Sequence, residues 1–169
     1  KFILDENRNP VKAILKSRTD ATSLVEECML LANQTVAIHV HQSSTPPPPF
    51  IYRTHDEPPQ EKLLDFAKFC KLMGYPIQIE NEKVLRKSFN SLLERSAGKP
   101  EADLLQQMSI RTMAKAVYTG QKTSHFGLAF PHYTHFTSPI RRYPDMMVHR
   151  MLLHYLHEGN SLNETAYEK

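Results

Sequence analysis

The sequence has few of the features that mark secreted, membrane or metal-binding proteins. Its two cysteines, Cys28 and Cys70, lie far apart, with no CxxC pair and no Cys/His ligand spacing. That usage predicts buried free thiols in a reducing compartment rather than a disulfide framework or a zinc site. The sequence has no signal-peptide organisation, and no apolar run approaches the roughly 20 residues of a membrane-spanning helix. We therefore expect a cytoplasmic protein without a membrane partner.

The charge balance is also too even to identify a partner. Lys and Arg number 21 against 18 Asp and Glu, a formal net charge of +3, so only local clustering of basic residues can indicate nucleic acid. An apolar content of 40% suits one soluble globular domain. The chain starts with Lys1 inside a strand-like run, which suggests a piece of a larger protein. Such a piece is expected to expose an apolar or basic face, or to hide it by self-association.

Apolar periodicity and Gly/Pro punctuation predict an α+β fold that is rich in helices. The predicted helices cover residues 20–41, 60–73, 82–95, 101–117 and 143–157, and the strand-like runs are 2–4, 11–15, 50–55 and 126–130. The proline tract at 43–49 predicts an extended spacer, with an SH3-type ligand as the less favoured use. The residues predicted to be buried are Leu24, Cys28, Leu31, Val36, Phe66, Phe69, Leu105, Met108, Met147 and Met151.

The first helix carries two further expectations. Asp20, with Ser23 and Glu26 as a capping-box pair, is predicted to open it. Glu26, Glu27 and Asn33 lie outside the apolar stripe, and periodicity alone predicts that all three are exposed to solvent.

The densest chemistry lies in HFGLAFPHYTHFTSPIRRYPDMMVHR, residues 125–150, which contains four histidines and three arginines. Ser138 followed by Pro139 is typical of a helix start, where Ser138 caps and proline occupies the first turn. Unpaired backbone N–H groups and the guanidinium groups of Arg141 and Arg142 would then form an anion site, most simply for phosphate.

Two points about this helix start remain open from the sequence. Pro144 would remove a ladder hydrogen bond from a helix begun at Pro139, so the SPIRR segment can instead be a separate turn, with the helix restarting near Tyr143. Arg141 and Asp145 are also four residues apart and can form an ordinary surface ion pair, worth only about 0.3–0.5 kcal/mol.

Other chemistries are weaker alternatives in the same segment. His132, His135 and His149 could be drawn as a zinc site, but no carboxylate or cysteine stands at a supporting spacing, and hydrogen-bonded histidines explain them as well. Ser138 could be a nucleophile, but no G-x-S-x-G elbow surrounds it. We expect no metal to be held by these residues.

Aromatic and basic side chains alternate in the segment, in the combination that binds single-stranded nucleic acid. Planar rings stack on unpaired bases while guanidinium groups hold phosphates. Tyr133, His135, Tyr143 and Arg142 are the candidates for these contacts, although aromatic residues near a helix start can equally belong to the core.

With these residues in view, the segment resembles the signature of the ribonuclease II/ribonuclease R (RNB) exoribonuclease family, and within it the bacterial ribonuclease R members. The resemblance extends to SLVEECMLLAN, residues 23–33, and to YRTHDEP, residues 52–58. It implies part of a catalytic domain that hydrolyses single-stranded RNA from the 3′ end to nucleoside 5′-monophosphates, using two magnesium ions held by aspartates.

The resemblance also implies roles for individual residues. Arg141 matches the family's catalytic arginine beside the scissile phosphate, and Glu26 matches a glutamate near the 3′ end of bound RNA. Ser138, Arg142 and Tyr143 fall in the same signature and are candidate RNA contacts. No D-x-D-D-like group occurs in the chain, and the family places it upstream of Lys1.

The lack of a D-x-D-D-like group in this chain leaves three hypotheses. The first is the C-terminal part of an exoribonuclease catalytic domain, inert on its own, with magnesium and the flanking OB-fold domains supplied by the parent protein. The second is a family member that has lost its aspartates and only binds RNA. The third is a structural interaction module, in which the Arg141 region is buried ion pairing.

Overall fold

A computed structural model describes residues 2–13, 18–121 and 124–159. Its elements, in chain order, are β1 (Phe2–Leu4), β2 (Pro10–Ala13), α1 (Asp20–Gln42), β3 (Tyr52–Thr54), α2 (Gln60–Leu72), α3 (Glu82–Ser96), α4 (Ala102–Thr112), β4 (Val117–Thr119) and α5 (Tyr143–His157), with a 3-10 helix at Phe126–Leu128. The predicted α+β class is confirmed. β1 pairs with β2 and β3 with β4, both antiparallel. The last residues of the predicted second strand, Ile14 and Leu15, lie outside the described residues.

The apolar residues form two core clusters. The first joins α2, α3 and α4 and contains Leu63, Phe66, Cys70, Tyr75, Leu85, Phe89, Leu92, Leu105 and Phe126. The second joins α1, α5, β3 and the segment before β3, and contains Ala37, Val40, Phe50, Tyr52, Val148, Met151 and Tyr155. Phe126 belongs to the first cluster and Phe136 packs against the second. The arginine-rich segment, residues 125–150, therefore runs from one core to the other.

The prediction for α1 was wrong about which face is buried. Leu24, Cys28 and Leu31 are exposed, whereas Asn33 is only 3% exposed and the inward face continues through Ala37. Helix α1 has apolar residues on two sides, and its inward side packs on α5. The outward side gives the protein an exposed apolar face.

The other burial predictions hold in part. Phe66, Leu105 and Met151 are buried, while Phe69, Met108, Val36 and Met147 are partly buried. Cys70 is buried as expected, and burial raises the pKa of its thiol to about 11.

The start of α1 and the end of α4 differ from the prediction. Thr19, not Asp20, caps α1, and it forms the capping box with Thr22. Helix α4 ends at Thr112 rather than near Val117, since Val117–Thr119 pairs with β3 across the sheet. Long-range pairing here overrides a locally helical pattern.

Residues 126–130 form a tight turn instead of the predicted strand. The Nδ1 atom of His125 accepts a hydrogen bond from the Leu128 N–H, and Ala129 closes the turn in the left-handed region at φ 57°. Gly127 lies so close to His55 that a Cβ at Gly127 would stand 2.8 Å from the His55 Nδ1 atom. Only glycine fits this approach.

In the described residues, no helix is long and apolar enough to cross a membrane.

Candidate nucleic-acid interface

The segment entering the candidate site is fixed to β3 through His55. The Gly127 N–H donates to His55 Nδ1 at 3.0 Å, and the other ring nitrogen lies 2.9 Å from the Ala114 carbonyl oxygen. Because Nδ1 accepts, Nε2 must carry the proton and donate to Ala114. His55 thus holds the 3-10 turn and the segment that follows α4 together.

A row of rings then leads from this turn towards the arginines. His55 and His125 have ring centroids 5.1 Å apart, His125 and Tyr133 5.3 Å, and Tyr133 and His135 5.7 Å, all edge to face. Tyr118 lies beside His135, with its hydroxyl 2.7 Å from His135 Nδ1. Edge-to-face packing of this kind gives the segment a fixed path through the protein.

Two histidines of this row are held neutral. Burial lowers the pKa of His125 to about 4, and His55 and Arg53 act in the same direction. Burial, followed by the charge of Arg142, lowers the pKa of His135 to about 4, with Asp145 opposing the shift in part. At neutral pH both rings can therefore accept hydrogen bonds.

Asn33 of α1 anchors the next part of the segment. Its Oδ1 atom accepts from the N–H groups of Phe136 and Thr137, at 2.9 and 3.1 Å, and its Nδ2 donates to the Tyr133 hydroxyl at 3.0 Å. The predicted solvent exposure of Asn33 was wrong, because its partners lie about a hundred residues further along the chain. Periodicity could not have identified it.

The SPIRR segment is a turn, not the start of a helix. The Ser138 carbonyl oxygen accepts from the N–H groups of Arg141 and Arg142, and α5 begins only at Tyr143 with Arg142 as its N-cap. Of the two geometries that the sequence allowed, the separate turn is correct. The interpretation of Ser138 as a helix cap is wrong, because the N-cap of α5 is Arg142. The Ser138 N–H donates to Asp145 Oδ1 at 2.8 Å.

The two arginines of this turn have different environments. Arg142 is 23% exposed and donates to Asp145 Oδ1 at 2.8 Å, while the Asp145 side chain is completely buried. Arg141 is exposed, and its side chain makes no hydrogen bond or ion pair within the described part of the chain. The Arg141–Asp145 ion pair that the sequence left open therefore does not form, and Asp145 pairs with Arg142. The neighbours Ile140 and Tyr143 are also exposed.

The three histidines that could have formed a metal site have separate partners. His132 stacks on His41 with ring centroids 4.3 Å apart, His149 stacks on Phe136 at 4.0 Å, and His135 contacts Tyr118. Among residues 2–13, 18–121 and 124–159, no group of three or more His, Cys, Asp or Glu is arranged to hold a metal ion.

The remaining predicted RNA contacts are distributed unevenly. Tyr143 is exposed, His135 is partly buried, and Tyr133 is buried with its hydroxyl bonded to Asn33. Glu26 is exposed on α1 and forms an ion pair with Arg18. None of these geometries tests RNA binding, so the roles of these residues stay predictions.

Comparison with known proteins locates the chain among its relatives. Ribonuclease R of Escherichia coli is 37% identical over 172 residues, which cover 99% of this chain and 21% of that protein. Ribonuclease R of Mycoplasma genitalium in complex with ribose-methylated single-stranded RNA has a TM-score of 0.81 at 27% identity, covering 99% of this chain and 26% of that one. Yeast Ssd1, described as a pseudonuclease, shares the fold, with a TM-score of 0.74 at 24% identity, covering 90% of this chain and 19% of that one.

The chain thus spans about a fifth of the length of the curated relatives that it matches. The sequence model of the RNB domain matches residues 1–158, a range that includes Asn33 as well as the turn that carries Arg141. Since that match takes in nearly every element described above, the chain belongs to the RNB domain family.

Proposed function

We propose that this chain is part of a 3′-to-5′ exoribonuclease that hydrolyses single-stranded RNA to nucleoside 5′-monophosphates, with Arg141 beside the scissile phosphate. One observation carries the proposal: Arg141 is an exposed guanidinium, unpaired among the described residues, on a turn whose base is bonded to buried side chains of two helices. Relatives named ribonuclease R, one of them solved with single-stranded RNA, support it.

The geometry gives Arg141 a simple electrostatic task. A guanidinium offers planar, two-pronged donation to phosphate oxygens, and its charge is most useful where negative charge builds up as the bond breaks. Exposed Tyr143 supplies a ring for stacking on a base, while Arg142, already paired with Asp145, supports the turn. Glu26, His135, Ser138 and Tyr133 complete the proposed surface, the last of them through its hydrogen bond to Asn33.

The described residues do not fit a magnesium site. Asp145 is buried and bonded to Arg142 and Ser138, and Glu26 is paired with Arg18, so these two carboxylates are already engaged. Two-metal hydrolysis needs several carboxylates around the reacting phosphate. Magnesium is accordingly proposed only for the full-length protein, and no step is derived through it.

The cell compartment and assembly state belong to the same proposal. Cys28 and Cys70 are free thiols, as expected for a cytoplasmic enzyme. Self-association through an apolar or basic face exposed by truncation stays a prediction.

Replacing Arg141 in the full-length protein tests the proposal. We expect Arg141→Ala to lower kcat by roughly 10²–10³, the range for removing one electrostatic stabiliser, while the Kd for RNA changes little. Arg141→Lys is expected to rescue poorly, because a point charge cannot reproduce a two-pronged contact.

Single-turnover cleavage of a short single-stranded RNA measures the effect, alongside RNA binding and thermal melting. Arg111→Ala, at an exposed arginine on α4, is the matched control for loss of one surface charge. Normal turnover in Arg141→Ala would remove this residue from the chemistry. A wild-type protein that binds RNA without cleaving it would favour the alternative, an RNA-binding member that is catalytically dead.

A further inference from the structure

Three consecutive backbone N–H groups just before the Arg141 turn donate to two buried side chains. Those of Phe136 and Thr137 donate to Asn33 Oδ1 at 2.9 and 3.1 Å, and that of Ser138 donates to Asp145 Oδ1 at 2.8 Å. Asn33 lies on α1 and Asp145 on α5, so the segment is held from both of the helices that it passes between.

The segment needs such partners because it belongs to no sheet. Residues 133–136 have no regular secondary structure, and a buried N–H without an acceptor is costly. A single carboxamide oxygen can accept two hydrogen bonds, and the Tyr133 hydroxyl fixes the orientation of the carboxamide by accepting from its Nδ2. The amide is thereby set with its oxygen towards the Arg141 turn.

The bonds around the same residues leave little freedom in the turn. His149 Nε2 lies 2.8 Å from the Phe136 carbonyl oxygen, and the Ser138 carbonyl oxygen accepts from the backbone N–H of Arg141 at 3.3 Å. The path from Asn33 to Arg141 therefore runs through backbone hydrogen bonds over only a few residues. A shift at Phe136 and Thr137 would be passed directly to the arginine.

We propose that Asn33 is a positioning residue for the reaction: its buried carboxamide fixes the backbone that presents Arg141 to the scissile phosphate. The inference rests on the proposed function of Arg141 and adds a residue to it. Asn33 does not touch RNA in this role. It sets where the guanidinium stands, and displacement of a catalytic group by about 1 Å can cost 10²-fold in rate.

Three substitutions in the full-length protein separate positioning from simple packing. Asn33→Leu is similar in size but removes the acceptor for both N–H groups, and we expect kcat to fall by roughly 10- to 10²-fold with little change in RNA affinity. Asn33→Asp keeps an acceptor oxygen, and its kcat should lie between those of Asn33→Leu and wild type. Thr35→Leu, at an exposed position on the same helix, is the matched control and should leave kcat unchanged.

A double-mutant cycle with Arg141 gives the deciding measurement. If Asn33 acts through Arg141, Asn33→Leu/Arg141→Ala should be about as slow as Arg141→Ala alone. All variants are assayed by single-turnover cleavage at a temperature where circular dichroism shows each to be folded. Should Asn33→Leu fail to fold, the same cycle is run with Asn33→Ala, which also removes the acceptor without adding apolar bulk.

The outcomes distinguish the two proposals. Losses that multiply in the double mutant would show that Asn33 affects the enzyme independently of Arg141, and this inference would be wrong while the role of Arg141 stood. Near-normal turnover in Arg141→Ala alone would refute the proposed catalytic role of Arg141, on which this inference rests.

Discussion

Lowering the pH from 6.5 towards 4 should destabilise this protein, because His125 and His135 must remain neutral in the folded state. Burial is the main cause of both shifts, and each pKa falls to about 4 from an ordinary value of 6.5. The hydrogen bonds agree, since His125 Nδ1 accepts from the Leu128 N–H and His135 Nδ1 lies 2.7 Å from the Tyr118 hydroxyl.

The sign follows from proton binding in the two states. Between pH 6.5 and 4 the unfolded chain protonates both histidines while the folded chain does not, so unfolding takes up protons. Their contribution to stability is fully present above pH 6.5 and is lost as the pH falls towards 4. Arg53 acts on both rings and opposes their protonation in the folded state.

The pH dependence of the unfolding free energy that these two histidines can cause has a clear upper limit. One histidine contributes at most about 1.4 kcal/mol per pH unit, so two give at most about 2.7 kcal/mol per unit within the window. Both rings keep some contact with solvent, which reduces this to roughly 1–1.5 kcal/mol per unit. A fall from pH 6.5 to 4.5 would then remove about 2–3 kcal/mol, a large share of the ~5–15 kcal/mol of a typical domain.

Urea unfolding from pH 4 to 8 at fixed ionic strength measures the slope of the unfolding free energy against pH. His125→Gln and His135→Gln should each flatten it by about half, whereas His39→Gln, at an exposed position on α1, should leave it as in wild type. A free energy of unfolding that stays level between pH 6.5 and 4.5 would refute the reasoning, as would an equal flattening in the His39 variant.

Two further changes test the packing around the site. Leu105→Ala should lower the free energy of unfolding, measured with urea, by about 2–5 kcal/mol because Leu105 is fully buried. Leu104→Ala, at a position that is 46% exposed, should lower it by less than about 1 kcal/mol. Equal losses would contradict the core assignment. Gly127→Ala should lower the free energy of unfolding by roughly 1–3 kcal/mol because the new Cβ meets His55. Gly120→Ala is the control, since the nearest contact of its Cβ would be 3.9 Å. A Gly127→Ala variant as stable as wild type would show that the turn can open.

The helices were predictable wherever apolar spacing and local stop signals agreed. Helix α2 begins as expected after two prolines and ends one residue before the predicted boundary, and α5 has the predicted bounds. The prediction failed at α4, where residues 113–117 have a helix-compatible pattern but lead into β4. The deciding contact is with β3, more than sixty positions away in sequence, which no local pattern records.

Helix α1 shows a different limit of sequence patterns. Apolar residues lie on both of its sides, so the pattern predicted a wide buried face without identifying the inward one. The inward side carries the polar Asn33, which periodicity placed in solvent. A polar residue is acceptable in a core when every hydrogen-bonding group finds a partner, and the partners of Asn33 come from the arginine-rich segment.

The two adjacent arginines show what spacing alone could not decide. Helical spacing allowed a pair between Arg141 and Asp145, but the chain forms a turn before α5, and Asp145 accepts from Arg142 instead. That pairing matters for function because a guanidinium already neutralised by a buried carboxylate has little charge left for a phosphate. Arg141 keeps its full charge on a turn that Arg142 and Asp145 hold in place. The exposed arginine is therefore the one that we propose to meet the charge that develops in the transition state.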